Sequence, residues 1–454
     1  MYRTDRLLLT FFLALTSFIL AHAQQPQLVN ITLAEATAEA LNNNKAIRVA
    51  QTDEHIAEAN FRQTNAVFLP QVGLSYTAMT SNNPLNVFGF KLQQQSVTAT
   101  DFNPALLNNP AATQNYMTKV DVMQPLLNMD MLYMRKGAQK QIESYHFKTE
   151  RTKEYITFEV QKAYLQLQLT HQAVTVMEDA LQSAKATYTS TENRFQKGLL
   201  QKSDLLNVKI QVNAIETKLA EAKSNVSNAS GHLSLLMGKP SNVIYVIDKA
   251  IQPTTEATET APVLSITRSD FKAMQNAIDA SDYMTQSSKM NYLPKLNAFG
   301  TYQINDSEAL GFGSNAYLAG IQLSWDVFKG TKTRNEVSAG SLTRDKMQTQ
   351  FDEQKEQSQL ELDKTNRQLA DTRFAIQQQQ TAVAQAEEAL RILQNRYEQG
   401  LITTTDVLMA GSQLSQQKLG LAQALFLAQC YCCLSAIFNL IQLNFKSIHH
   451  VIQK

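Results

Sequence analysis

The sequence predicts a mainly α-helical chain with a smaller transmembrane β part, and three observations predict it. An apolar rhythm of 3.5 residues is sustained over long stretches, four short segments switch to a period of two, and both patterns occur once in each half of the chain. The repeat is visible when the chain is slid against itself. Asn193-Arg194-Phe195-Gln196-Lys197-Gly198-Leu199 matches Asn395-Arg396-Tyr397-Glu398-Gln399-Gly400-Leu401, and the same offset carries Asp204-Leu205-Leu206 onto Asp406-Val407-Leu408.

The helical rhythm brackets that motif. Upstream, Val174, Met177, Leu181, Ala184, Tyr188 and Phe195 keep 3,4 spacing, with Thr191 at the remaining position. Their counterparts are Ile376, Val383, Ala386, Leu390, Leu393 and Tyr397, with Gln379 as the polar exception. Downstream, Leu205, Val208, Val212, Ile215, Leu219, Ala222 and Val226 correspond to Val407, Ala410, Leu414, Leu421, Ala424 and Ala428, with Gln417 as the exception. A sustained 3.5 period is a coiled-coil seam, so each half holds a long ascending helix, a turn at the Gly-Leu pair and a long descending helix packed antiparallel. An ascending helix from Met131 to Lys197 would be roughly 100 Å long at 1.5 Å per residue, the dimension of a rod or tube.

The segments of period two lie before each hairpin. Val72, Leu74, Tyr76 and Ala78 alternate with Gln71, Gly73, Ser75 and Thr77, and Tyr116, Thr118, Val120 and Val122 alternate with Met117, Lys119, Asp121 and Met123. In the second half Leu296, Ala298 and Tyr302 oppose Lys295, Asn297, Thr301 and Gln303, while Tyr317, Ala319, Ile321, Leu323 and Trp325 oppose Gly320, Gln322, Ser324 and Asp326. Each is a strand with one greasy face, of the roughly 9 to 11 residues that a tilted membrane strand needs. Tyr317 and Trp325 mark opposite ends of one lipid-facing row, an aromatic girdle. The first half carries extra residues within Thr80 to Asn115, a stretch rich in Asn, Pro, Gln and Thr that predicts a solvated loop. Four strands do not close a barrel, and an open edge in lipid leaves backbone groups unsatisfied at several kcal/mol each. The chain is therefore expected to oligomerise, with the copy number left open by this argument.

The N-terminus carries an export signal. Basic residues at Arg3 and Arg6 precede an apolar run from Leu7 to Leu20 and the small-residue site Ala21-His22-Ala23, too short a run to span a bilayer as a helix. The net charge of +1 gives no case for nucleic acid. Glycine (15) and proline (10) are scarce, as in long helices. Cys430, Cys432 and Cys433 crowd one stretch; a metal or redox site and simple helix packing are both compatible with them, and the lack of a neighbouring histidine or carboxylate favours packing. No H-E-x-x-H, G-x-S-x-G or phosphate-loop motif occurs, so no catalytic residue, metal or cofactor is expected, and transport through the chain would be passive.

With these residues in hand, the chain resembles the TolC-like outer-membrane efflux channel family: the duplicated strand pair, the duplicated hairpin and the R-[FY]-x-x-G-L-x-x-x-x-D-[LV]-L motif carry the resemblance over nearly all of the mature chain. It implies a homotrimer in outer-membrane lipid with a twelve-stranded β-barrel above a long periplasmic α-barrel. The implied role is the exit duct of a tripartite efflux pump or type I secretion system, with a periplasmic adaptor (membrane fusion) protein and an inner-membrane pump as partners. The expected organisation is a signal peptide at 1–23, a first repeat at 24–240 with its tip at 198–203, an equatorial linker at 241–262, a second repeat at 263–440 with its tip at 400–405, and a tail at 441–454. Gly198, Leu199, Leu200, Gly400, Leu401 and Ile402 are candidates for adaptor docking, although the glycines also serve simply to end helices. Asp406 and Asp204 open the descending helices, where a carboxylate caps the helix. In a threefold assembly they would also form an acidic ring at a narrowed entrance. Met409 stands where the family has a second acid, and Ile402 where it often has a base. Arg194, Phe195, Arg396 and Tyr397 are expected as a latch between hairpins. Two other readings compete: a periplasmic adaptor, which predicts one hairpin and soluble β-domains, and a membrane helix at Ala424 to Ile441, whose repeat partner is polar.

Overall fold

The computed structural model describes residues 27–247 and 264–439. The signal peptide expected at 1–23, the linker beyond residue 247 and the tail expected at 441–454 lie outside the described residues. In chain order, β1 (Gln27–Asn30) leads into α1 (Leu33–Asn43) and α2 (Lys45–Gln63). β2 (Gln71–Ser81) and β3 (Thr113–Leu127) flank two short helices, α3 (Pro84–Gln93) and α4 (Pro104–Asn108). α5 (Met129–Gln196) and α6 (Lys202–Leu236) form a hairpin, followed by β4 (Val243–Val246). The chain resumes with α7 (Ser269–Met290), β5 (Lys295–Asp306), β6 (Ser314–Ser324), α8 (Lys332–Glu398) and α9 (Thr404–Asn439). The ascending helices α5 and α8 run for 68 and 67 residues, close to the span that the heptads predict.

These elements divide into two compact units. One holds the described residues of Ala50–Glu150 and Thr267–Glu356 and contains an antiparallel sheet of order β2-β3-β5-β6. Its register sorts the side chains. Ser75 pairs with Lys119, Lys119 with Gln303 and Gln303 with Ala316, so these share one face with Asp121 and Thr301. Leu74, Val120, Tyr302 and Tyr317 are likewise matched across the sheet and share the other face with Val72, Ile321 and Leu323. That second face is exposed in the single chain, with Leu74 at 74%, Tyr317 at 84% and Ile321 at 68%. On the polar face Thr301 Oγ1 donates to Asp121 Oδ1 at 2.7 Å. The register shifts between Pro125 and Leu127, where proline, lacking an N–H, meets the ladder beyond the end of β2. Below the sheet, α5 and α7 are joined by Ser144 Oγ donating to Ala273 O at 2.8 Å, and Phe271 meets Phe351 edge-on at 5.8 Å.

Two expectations are corrected within this unit. The stretch Thr80 to Asn115 is no plain loop, since Asn83 and Asn103 each cap a helix that begins with proline. Trp325 lies one residue past the end of β6, where its indole Nε1–H donates to Tyr292 O at 3.0 Å. Before the first strand pair the chain forms two helices, broken at Asn44, whose side chain caps the second by accepting from Ala46 N at 2.8 Å.

The other unit holds the described residues of Met1–Val49, Arg151–Ile266 and Gln357–Lys454. Its largest core packs Ile31, Ala36, Ala40 and Ile47 against Val160, Leu167, Leu233, Met237 and Tyr245. The expected linker begins here as β4, which pairs in parallel with β1, and His171 Nε2 lies 2.8 Å from Tyr245 O. α9 is long and apolar enough to cross a membrane by length and composition, and it packs against α6. Cys430, Cys432 and Cys433 are free and half-buried along it, and among the described residues no group of three or more His, Cys, Asp or Glu is placed to hold a metal.

One junction in this core is tightly built. Gly238 ends α6 with φ +68°, and a Cβ there would lie 2.6 Å from Asn43 O, while Asn44 Nδ2 donates to Leu236 O at 2.8 Å. Gly238→Ala is expected to lower stability by about 2 kcal/mol or more, because it combines a left-handed φ with a backbone clash. Gly198→Ala, with a left-handed φ in open space, should cost about 1 kcal/mol. Urea unfolding of both variants in detergent checks the ranking, and equal losses would refute it.

Candidate functional site at the hairpin tips

The two hairpin turns are built the same way. At the first, Gly198 N donates to Phe195 O at 2.9 Å and Leu199 N to Arg194 O at 3.0 Å; at the second, Gly400 N donates to Tyr397 O at 2.9 Å and Leu401 N to Arg396 O at 3.0 Å. This pair of bonds satisfies the last carbonyls of the ascending helix and requires a left-handed residue, supplied by Gly198 at φ +74° and Gly400 at φ +77°. A Cβ at either glycine would meet nothing within 4 Å, so backbone conformation rather than packing selects them. The turns expose Leu199 at 70% and Leu401 at 67%, while Leu200 and Ile402 are half-buried.

Both candidate acids start descending helices. Asp204 Oδ2 accepts from Gln201 N at 3.2 Å. Asp406 Oδ2 accepts from Thr403 N at 2.9 Å and from Thr403 Oγ1 at 2.7 Å, and Thr403 Oγ1 accepts in return from Asp406 N at 3.4 Å. This reciprocal capping box holds the Asp406 carboxyl below its usual range, the Thr403 hydroxyl contributing most and its N–H next. Asp406 is exposed, and so is Met409 one turn on.

Between the tips, the expected latch residues separate. Arg194 reaches from the first hairpin to the second: its guanidinium lies 4.6 Å from the Tyr397 ring centre, and its Nη2 donates to Glu398 O at 2.9 Å. Tyr397 is buried with Leu390 and Val407, and its hydroxyl lies 3.0 Å from Thr191 Oγ1 and 3.4 Å from Thr404 Oγ1. Phe195 is half-buried and Arg396 is exposed. Sequence reading missed Thr191 and Thr404 as partners of this hydroxyl. The signal was a threonine at a seam position, fully buried here, where the rhythm asked for an apolar side chain.

Behind the tips, α5, α6, α8 and α9 surround a cavity of about 810 Å³. Gln379 and Gln417, the two polar exceptions to the heptads, both line it, as do Asp179, Lys218 and Glu221. The ion pairs Lys185–Glu216, Lys223–Glu178 and Lys418–Glu387, at 2.8, 3.2 and 2.9 Å, link the arms within each hairpin. They stand at the surface, Lys418 alone half-buried, a setting in which a pair is worth about 0 to 1 kcal/mol.

A four-stranded sheet with one apolar face, joined to paired long helical hairpins, defines a channel-type outer-membrane protein. Residues 36–239 and 264–428 match the family described as "Outer membrane efflux protein", and the chain belongs to that TolC-like family. Among solved structures, a membrane protein from Pseudomonas aeruginosa is similar at 17% identity and a TM-score of 0.75, covering 91% of this chain and 93% of its own. The Campylobacter jejuni CmeC outer membrane channel is similar at 15% identity and a TM-score of 0.72 (92% and 88%), and the Vibrio cholerae outer membrane protein VceC at 18% and 0.71 (89% and 94%). No curated protein sequence matches the chain.

The cap and the latch give separate predictions. Because the folded Asp406 carboxyl titrates below its ordinary value, its cap is fully present above that ordinary value and is lost as pH falls through the lowered one. Amide protection at Thr403 and Asp406, corrected for intrinsic exchange, should therefore drop on acidification in the native chain. In Asp406→Asn it should be low already and pH-independent; a pH response retained in that variant would refute the cap. Arg194→Ala and Tyr397→Leu, which removes the ring beneath the guanidinium, should be non-additive by roughly 0.5 to 1 kcal/mol in a double-mutant cycle read from tip amide exchange. Simple additivity would remove the latch.

Proposed function

We infer that the chain is one third of a passive exit duct that crosses the periplasm and the outer membrane. The observation that carries this reading is the sheet β2-β3-β5-β6, with a polar face, an apolar face and two edge strands, β2 and β6, that lack an outer partner among the described residues. In lipid each edge would leave backbone groups unsatisfied, so β6 of one copy pairs with β2 of the next. Three copies of four strands give a twelve-stranded barrel with the polar face lining the bore, the two repeats of each chain standing side by side around the threefold axis. Tyr317 and Trp325 then meet the membrane interfaces as girdle residues. The copy number comes from the family likeness, since edge pairing alone permits other closures.

The hairpins extend the bore into the periplasm and narrow it at the tips. There three Asp406 carboxylates, kept ionised by Thr403, form an acidic ring that favours cations and constricts flow, with Asp204 further out. Leu199, Leu200, Leu401 and Ile402 dock a periplasmic adaptor, and the bond network of Arg194 and Tyr397 holds the two hairpins of a subunit together until that adaptor engages. An inner-membrane pump supplies energy and chooses the cargo, because a wide aqueous duct imposes little selection. The system served is an efflux pump or a type I secretion system.

Expressed with its signal peptide, the protein should fractionate with the outer membrane as a heat-modifiable trimer. In planar bilayers Asp406→Ala should raise single-channel conductance and weaken block by divalent cations. A water-soluble monomer would sink the whole reading, whereas unchanged conductance and block would remove Asp406 alone from the constriction.

A further inference from the structure

The excursion between β2 and β3 is a folded piece that reaches across the sheet. It is packed on itself: Phe88 and Phe102 meet edge-on at 5.7 Å, Lys91 pairs with Asp101, and Asp101 Oδ2 accepts from Thr98 N at 2.7 Å. It is also anchored to three strands. Gln94 Nε2 donates to Gln114 O at 2.8 Å and to Asn115 Oδ1 at 3.0 Å, and lies 3.4 Å from Asp306 O. Asn115 Nδ2 donates to Asn305 Oδ1 at 3.1 Å, and Ser314 Oγ donates to Gln93 O. These anchors sit on β3, β5 and β6, so α3 crosses beyond its own hairpin to the far edge strand.

The anchoring side chains all belong to one face. Strand alternation places Asn115 with Met117, Lys119 and Asp121, Asn305 with Gln303 and Thr301, and Ser314 with Ala316 and Gln322. This is the polar face, opposite Leu74, Val120, Tyr302 and Ile321. Asn115, Asn305 and Ser314 are 0%, 1% and 3% exposed, buried beneath the crossing segment.

We propose that residues 84–108 form a fixed lid lying over the bore side of the sheet, a constriction separate from the one proposed at the hairpin tips. The inference rests on the channel reading, in which the polar face lines the bore. Twelve strands spaced about 4.8 Å apart and tilted about 40° enclose a backbone diameter of roughly 24 Å. A ten-residue helix such as α3 is about 15 Å long and about 10 Å thick with its side chains. Three such helices anchored inside one mouth leave a narrow opening that passes ions and small solutes and excludes bulky ones.

The test places a thiol beneath the lid. Ser75→Cys lies on the polar face of β2, opposite Lys119, in a chain carrying Cys430→Ser, Cys432→Ser and Cys433→Ser. Intact cells expressing the full chain are treated from outside with a small charged thiol reagent or with a maleimide on a long poly(ethylene glycol). With the lid in place the small reagent should label and the bulky one should be slow. Replacing residues 85–107 with a short Gly-Ser link should speed the bulky reagent on the order of tenfold or more, with little change for the small one. Gln94→Ala with Ser314→Ala, which releases the anchors without a deletion, should give an intermediate rate and decides the matter if the deletion does not reach the membrane. Equal bulky-reagent rates with and without the lid or its anchors would overturn the lid and leave the channel standing. Failure of the small reagent to label in any variant would overturn the channel reading and the lid with it.

Discussion

A strand in hydrocarbon has nowhere to put an unpaired N–H or C=O, and among the described residues two strands, β2 and β6, have one side unpaired. The rest of the design answers that constraint. Within the sheet, the β2–β3, β3–β5 and β5–β6 pairings satisfy the ladder internally, and one face is almost wholly apolar while the other mixes polar residues with Met117, Phe299 and Leu318. In the proposed channel, closure of the remaining edges falls to other copies; the single chain shows exposed Leu74, Tyr317 and Ile321, which a water-soluble protein would bury.

The tips answer a different problem. Each long helix ends with orphan carbonyls and the next begins with orphan amides, and both hairpins solve this with a left-handed glycine followed three residues before the acid by a cap. The shared motif nevertheless gives unequal surroundings. Arg194 crosses to Tyr397 and Glu398, whereas Arg396 is exposed, and Thr191 meets a buried tyrosine hydroxyl. Two copies of one sequence pattern thus serve as the two sides of a single contact, and that contact needs them to differ.

What could be read from the sequence depended on range. The heptads, the Gly-Leu turns and the two-faced strands are local patterns, and they placed the hairpins and sheet within a few residues. β1 and β4 escaped because each is four residues long and its partner lies far along the chain, so neither has a period to show. The lid helices escape a reading of composition because Asn and Pro are common in loops, although Asn before Pro also starts a helix. Gln379 and Gln417 broke the heptads for a reason visible only in three dimensions, since both line the cavity among four helices. At the tips the acids and the arginine were legible, whereas Thr191 and Thr404 acquire meaning only through a tyrosine on the other hairpin or the far side of a turn.

The pairing of β3 with β5 sets the order in which the molecule can be assembled. The bond between Asn115 and Asn305 joins positions 190 apart in sequence, and both helices of the first hairpin lie between them. Closing so long a loop costs entropy before any contact compensates, while the hairpins form from neighbouring residues, so rods should precede sheet. A newly exported chain therefore waits with β2 and β3 made and their second neighbour still to come. During that interval its greasy face and raw edges are open to any other strand, and the cell must shelter it until the second half arrives.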